Sequence, residues 1–152
     1  MLKRSWLFFI VVACCSVTPV MACPHLSGIF DCTTNGHTER MIIRQQEVDY
    51  VTHYLVTGTE IVADGLSHAL PHREPEEKAL YRATCYGEAL RVVVEQVLIT
   101  GEPNKARIGT LNFELWMNRD PAGKLHRKVQ GIVSLDGDGN YPLSEGTVCV
   151  PR

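Results

Sequence analysis

Leu111, Phe113, Leu115 and Met117 alternate with Thr110, Asn112, Glu114 and Trp116, so the apolar side chains fall on one face. A repeat of two residues marks a half-buried β-strand. Leu125, Val129, Val133 and Leu135 repeat the pattern against Lys128, Gln130 and Ser134. Between the two runs, Asn118-Arg119-Asp120-Pro121-Ala122-Gly123 has the proline and glycine of a turn. Together they predict a β-hairpin.

Residues 29–32, 40–48, 50–56, 60–63, 80–85, 90–99 and 147–150 are strand-like in composition. Asn35-Gly36, Asp64-Gly65, Gly87 and Gly101-Glu102-Pro103-Asn104 supply breaks between them. Past the N-terminal leader, no convincing helical stripe runs along the chain, although 74–79 fits one short helical turn. The expected fold is all-β: a single antiparallel barrel of about eight strands, with a sandwich as the alternative. Closure into a barrel removes the exposed edges that invite aggregation. Residues 66–78, charged and interrupted by two prolines, form a connection long enough to be a functional loop.

The N-terminus sets the expected compartment. Lys3 and Arg4 precede an apolar run from Trp6, Pro19 breaks it, and Val20-Met21-Ala22 places small or modest side chains before a cut. That order is a secretory signal, and the run is shorter than the ~20 residues a bilayer span needs. Residues 1–22 are therefore read as a signal peptide and 23–152 as the exported domain, periplasmic or secreted. Val20-Met21-Ala22-Cys23 also resembles a lipobox, so a membrane attachment is expected only if Cys23 is lipidated.

Four cysteines remain after the cut: Cys23, Cys32, Cys85 and Cys149. An even number in an oxidising compartment reads as two disulfides, with three possible pairings. Cys23 with Cys149, tying the two ends, and Cys32 with Cys85 is the preferred one. Losing Lys3 and Arg4 leaves thirteen basic against seventeen acidic residues, a net charge of −4. That balance argues against nucleic acid as a partner.

Candidate chemistry is sparse. His68, His72 and Glu74 could form a zinc set, but the setting is a loop with Pro71 between the histidines. Asp136-Gly137-Asp138-Gly139-Asn140 resembles the start of a calcium loop, yet Tyr141 and Thr147 stand where an EF-hand needs glycine and an acid. A tight turn explains it better. Neither a Gly-x-Ser-x-Gly elbow nor a His-Glu-x-x-His pair occurs. No catalytic residue, metal or cofactor is expected, and the chain is read as a non-enzyme.

Ser27-Gly28-Ile29-Phe30 resembles the Gly-x-Trp opening of lipocalin-like barrels, with Phe30 in the aromatic place. The resemblance implies a barrel whose interior takes a small apolar ligand. Phe30-Asp31-Cys32 is similar to the aromatic-x-Cys of periplasmic inhibitors of C-type lysozyme, although their Ser-Gly-x-x-Tyr element is missing. That second resemblance implies a barrel that binds an extracellular protein, such as a hydrolase, through its loops. The first expectation is thus a binding module with the face Leu111, Phe113, Leu115, Val129 and Val133 lining the ligand site. A protein-binding inhibitor is the alternative.

Overall fold

The computed structural model describes residues 22–70, 78–100 and 107–152. The signal-peptide reading up to Met21, the zinc candidates His72 and Glu74, and the turn at 101–104 lie outside the described residues. So does all but the end of the single helical turn at 74–79, where Lys78 is irregular and Ala79 belongs to a strand.

Ten strands follow one another: β1 (Gly28–Thr34), β2 (His37–Val48), β3 (Val51–Val56), β4 (Thr59–Val62), β5 (Ser67–Ala69), β6 (Ala79–Tyr86), β7 (Ala89–Thr100), β8 (Arg107–Arg119), β9 (Leu125–Leu135) and β10 (Gly139–Pro151). They form one antiparallel sheet in the order β4-β3-β2-β1-β10-β9-β8-β7-β6-β5. Each strand pairs with its sequence neighbour, except that β1 pairs with β10 and no ladder joins β4 to β5. The edges are drawn together instead: Val62 N–H donates to the Tyr81 hydroxyl at 3.0 Å and Gly65 N–H to the Ala83 carbonyl at 2.9 Å. The result is a nearly closed barrel.

The sheet has ten strands instead of the expected eight or so; one strand is additional and another is longer than expected. The short β5 lies within the long connection after Leu66, held against β6. The last strand begins at Gly139 instead of residue 147. Pro142 and Gly146 disfavour a strand on sequence grounds. Here they are tolerated because β10 pairs with β9 from Gly139 to Cys149, whereas β1 reaches only residues 149–151.

Asn35-Gly36 makes a tight hairpin turn, both residues with positive φ (51° and 80°), as the Asn-Gly pair demands. Asp49-Tyr50 makes another, with φ of 50° and 66°, so Tyr50 belongs to the turn and not to β3. Asp136-Gly137-Asp138 joins β9 to β10, with Gly137 at φ +86°.

The core is the inner face of this barrel. Phe30, Tyr54, Leu26, Leu90, Leu125, Cys32 and Cys149 are fully buried, with Ile43, Val92 and Met117 nearly so. Burying side chains of this size stabilises the fold by about 1.5–3 kcal/mol each.

The disulfide pairing differs from the preferred one: Cys23 is bonded to Cys85, and Cys32 to Cys149. Register is the reason for the second. In the β1–β10 ladder Cys32 is the direct partner of Cys149. Cys23 is carried elsewhere by the segment 22–27, which crosses one end of the barrel. Along it, Pro24 C=O accepts from the Tyr54 hydroxyl of β3 at 2.7 Å, and Leu26 N–H donates to Gln45 Oε1 of β2 at 3.0 Å. Ser27 C=O accepts from Arg119 Nη1 of β8 at 3.3 Å. This segment closes that end, and the bond to Cys85 pins it to β6.

Candidate functional site

Strand direction decides which end of the barrel each residue occupies. β8 reaches the closed end at Arg119 and β9 leaves it at Leu125, so Leu111 and Val133 lie toward the opposite end. Register brings the expected ligand residues onto one surface. Leu115 pairs with Val129, Leu111 with Val133, and Phe113 with Gly131. Phe113 and Leu115 rest on the buried core.

Gly131 lacks a side chain for a local reason. A Cβ there would stand 2.3 Å from the Asn112 carbonyl oxygen and 2.5 Å from Phe113 Cβ. Gly109 is similar, at 2.6 Å from the Ser134 carbonyl oxygen. Small residues thus let the inner faces of β8 and β9 approach closely where the sheet coils.

Burial falls along this inner face. Met117 and Leu125 near the closed end are buried, whereas Leu115, Val129, Phe113, Leu111 and Val133 are only half-buried. Tyr141, which pairs with Val133 on the same face, is 48% exposed. A polar rung interrupts the apolar surface. Arg127 forms ion pairs with Glu39 at 3.4 Å and Glu145 at 3.3 Å, joining β9 to the start of β2 and to β10. Its Nε is buried without a hydrogen-bond partner among the described residues.

His68, the described member of the zinc candidates, is otherwise engaged. Its Nε2 hydrogen-bonds Asp64 at 2.9 Å and its ring stacks on Tyr81 at 5.3 Å. Burial opposes ionisation of Asp64, but hydrogen bonds from His68 and from Leu66 N–H hold its carboxyl below the usual range. Among the described residues no group of three or more His, Cys, Asp or Glu could hold a metal ion.

The outer face of the same wall carries a cluster built on Glu114 and Trp116, the polar side of the β8 alternation. Trp116 Nε1 donates to Glu114 Oε2 at 3.2 Å. Arg91 Nε donates to that same oxygen at 3.4 Å and Nη2 to the other, placing the guanidinium over the indole at 5.5 Å. Tyr86 meets the indole edge-on at 6.2 Å. The hydrogen bonds from Arg91, then from Trp116, hold the Glu114 carboxyl below the usual carboxylate range. A groove of about 790 Å³ opens beside Trp116 and runs onto β9 and β10. The available signal was Glu114-x-Trp116: an indole on the polar face of an amphipathic strand.

Compared with family models, curated proteins and solved structures, the chain matches none.

Proposed function

We propose that the protein is a non-catalytic, exported binding module, lipocalin-like in its use of a barrel, which takes a small apolar or amphipathic ligand at its open end. Two intramolecular disulfides fit an oxidising, exported location. Within that reading the domain is periplasmic or secreted and soluble, since a Cys23 sulfur bonded to Cys85 is not free to carry a lipid.

One observation carries the proposal: the gradient of burial along the apolar inner face, from the filled end past the Arg127 rung to the half-covered end. The barrel is filled and plugged at one end by Leu26, Phe30 and Tyr54, all fully buried. At the other end Leu111, Phe113, Leu115, Val129 and Val133 share a surface that is only half-covered. Apolar area left in this state gains about 25 cal/mol per Å² when a ligand removes it from water. The ligand therefore sits at the mouth, against Phe113, and not in a sealed central cavity.

Native mass spectrometry of the protein purified from its producing cell, followed by titration with a fluorescent fatty acid, tests this. A bound adduct lost on denaturation, and probe binding weakened by Phe113→Ala in a folded protein, are the expected results. A clean apo mass together with no probe binding would sink the reading. So would a Phe113→Ala variant that binds the probe as the parent does.

A further inference from the structure

Three cross-strand registers align Arg91, Trp116, Lys128 and Gly146 in one row across the outer face of β7–β10. The next row holds Glu114, Gln130 and Ser144. Trp116, Lys128 and Gly146 of the first row and all three residues of the second line the groove beside Trp116. Its floor is the outer face of the sheet, where adjacent strands spaced about 4.8 Å apart set its polar groups at regular intervals.

Gly146 is the informative residue. A glycine inside a strand weakens it, and commonly marks either a packing constraint or a place where another molecule comes close to the backbone. Packing accounts for Gly109 and Gly131, whose Cβ atoms would strike backbone oxygens. It does not account for Gly146. A Cβ there meets nothing within 4 Å, and its φ is not in the left-handed range. The fold leaves this position free to carry a side chain, and the missing one keeps the groove open directly in line with Trp116.

The chemistry of the lining selects a ligand class. Trp116 is held in place by Glu114, Arg91 and Tyr86, so its ring is positioned before anything binds. Around it stand the Gln130 amide, the Ser144 hydroxyl and the Lys128 ammonium group, with the exposed Val148 adding apolar surface at the side. A pyranose ring matches this lining: its C–H face stacks on an indole and its hydroxyls radiate toward hydrogen-bonding side chains. The Glu114 charge is already met by Arg91. Arg127 and Glu145, which also line the groove, pair with each other at 3.3 Å, so Lys128, exposed and with no ion pair among the described residues, leaves one unmatched positive charge. We propose that this groove is a second, outward-facing site that binds an oligosaccharide bearing carboxylates, stacked on Trp116 over Gly146.

Calorimetric titration of the purified protein with a hexamer of galacturonic acid tests the assignment, with a hexamer of N-acetylglucosamine as the neutral comparison. The acidic hexamer is expected to bind, and Trp116→Ala to weaken it about tenfold or more. Gly146→Phe is the decisive variant, because it adds a side chain in open space and leaves the thermal midpoint in place while blocking the groove. It is expected to abolish binding, whereas Phe113→Ala on the inner face leaves it unchanged. No heat from the acidic hexamer would overturn the proposal, as would full affinity in Gly146→Phe. Equal affinity for the neutral hexamer would overturn the role of Lys128 and with it the acidic class.

Discussion

Cys32 lies directly opposite Cys149 across the β1–β10 ladder, their Cα atoms 4.1 Å apart, and a disulfide joins them. The first and last strands of the barrel are thereby fixed to each other where they share only a few residues of ladder. Cys23–Cys85 does a different job, holding the end-closing segment to β6. The bonds close sequence separations of 117 and 62 residues. In the chain-entropy model each stabilises the fold by about 4–5 kcal/mol. Digestion without reduction is expected to release a peptide with Cys23 linked to Cys85, and none linking Cys23 to Cys149. Replacing either pair by alanine is expected to lower the urea midpoint sharply; an unchanged midpoint would contradict the pairing.

Tyr54 connects core and plug. Its ring is fully buried, burial pushes its phenol up, and its hydroxyl donates to Pro24 C=O at 2.7 Å. Tyr54→Phe keeps the ring and leaves that carbonyl unsatisfied, at about 1 kcal/mol or slightly more. Tyr54→Ala also empties a ring-sized space and is expected to cost about 3–5 kcal/mol. Urea unfolding of both variants measures the difference between hydrogen bond and packing.

Gly131 and Gly146 sit on neighbouring strands of one sheet with opposite tolerance. Gly131→Ala forces a Cβ against the Asn112 carbonyl oxygen and is expected to destabilise by about 1–3 kcal/mol. Gly146→Ala meets nothing and is expected to be neutral, or stabilising by several tenths of a kcal/mol through the unfolded chain. Thermal unfolding of the two variants side by side gives the answer.

Acid sensitivity follows from three carboxyls whose folded values lie below their ordinary ones. Glu114 is held down by Arg91 and Trp116, Asp120 by His126 and by Lys124 N–H. Asp64 is held down by His68 and Leu66 N–H against the opposing effect of burial. A depressed carboxyl stabilises the fold above its unfolded value and loses that contribution as pH falls through its folded value. The thermal midpoint is therefore expected to hold above the ordinary values of 4.5 for Glu and 3.8 for Asp and to fall below them. Glu114→Gln is expected to flatten part of that acid loss; an identical pH profile would show that the Arg91 pair contributes nothing.

Strand identity was legible wherever side-chain period and turn chemistry agreed. The alternation of Leu111, Phe113 and Leu115 and the Asn35-Gly36 turn appear as read. β5 was missed because three residues are too few to show a period, and β5 exists only because β6 offers a partner. The first half of β10 was missed because Pro142 and Gly146 carry a local signal against strands. Half an edge, unpaired on one side, lets that signal be overridden.

The sequence by itself determined what local chemistry can determine: an antiparallel all-β chain, the hairpin turns at Asn35-Gly36 and at 118–123, four cysteines for two bonds, and the apolar face of β8 and β9. Those follow from backbone period and turn conformation, which act over a few residues. The tertiary structure alone decided the disulfide partners, the plugged end and the row of Arg91, Trp116, Lys128 and Gly146. Each depends on register between strands far apart in sequence, and a one-residue shift of register would move every side chain to the other face. No local pattern encodes which strand a cysteine or an indole will face once the sheet has curled and closed.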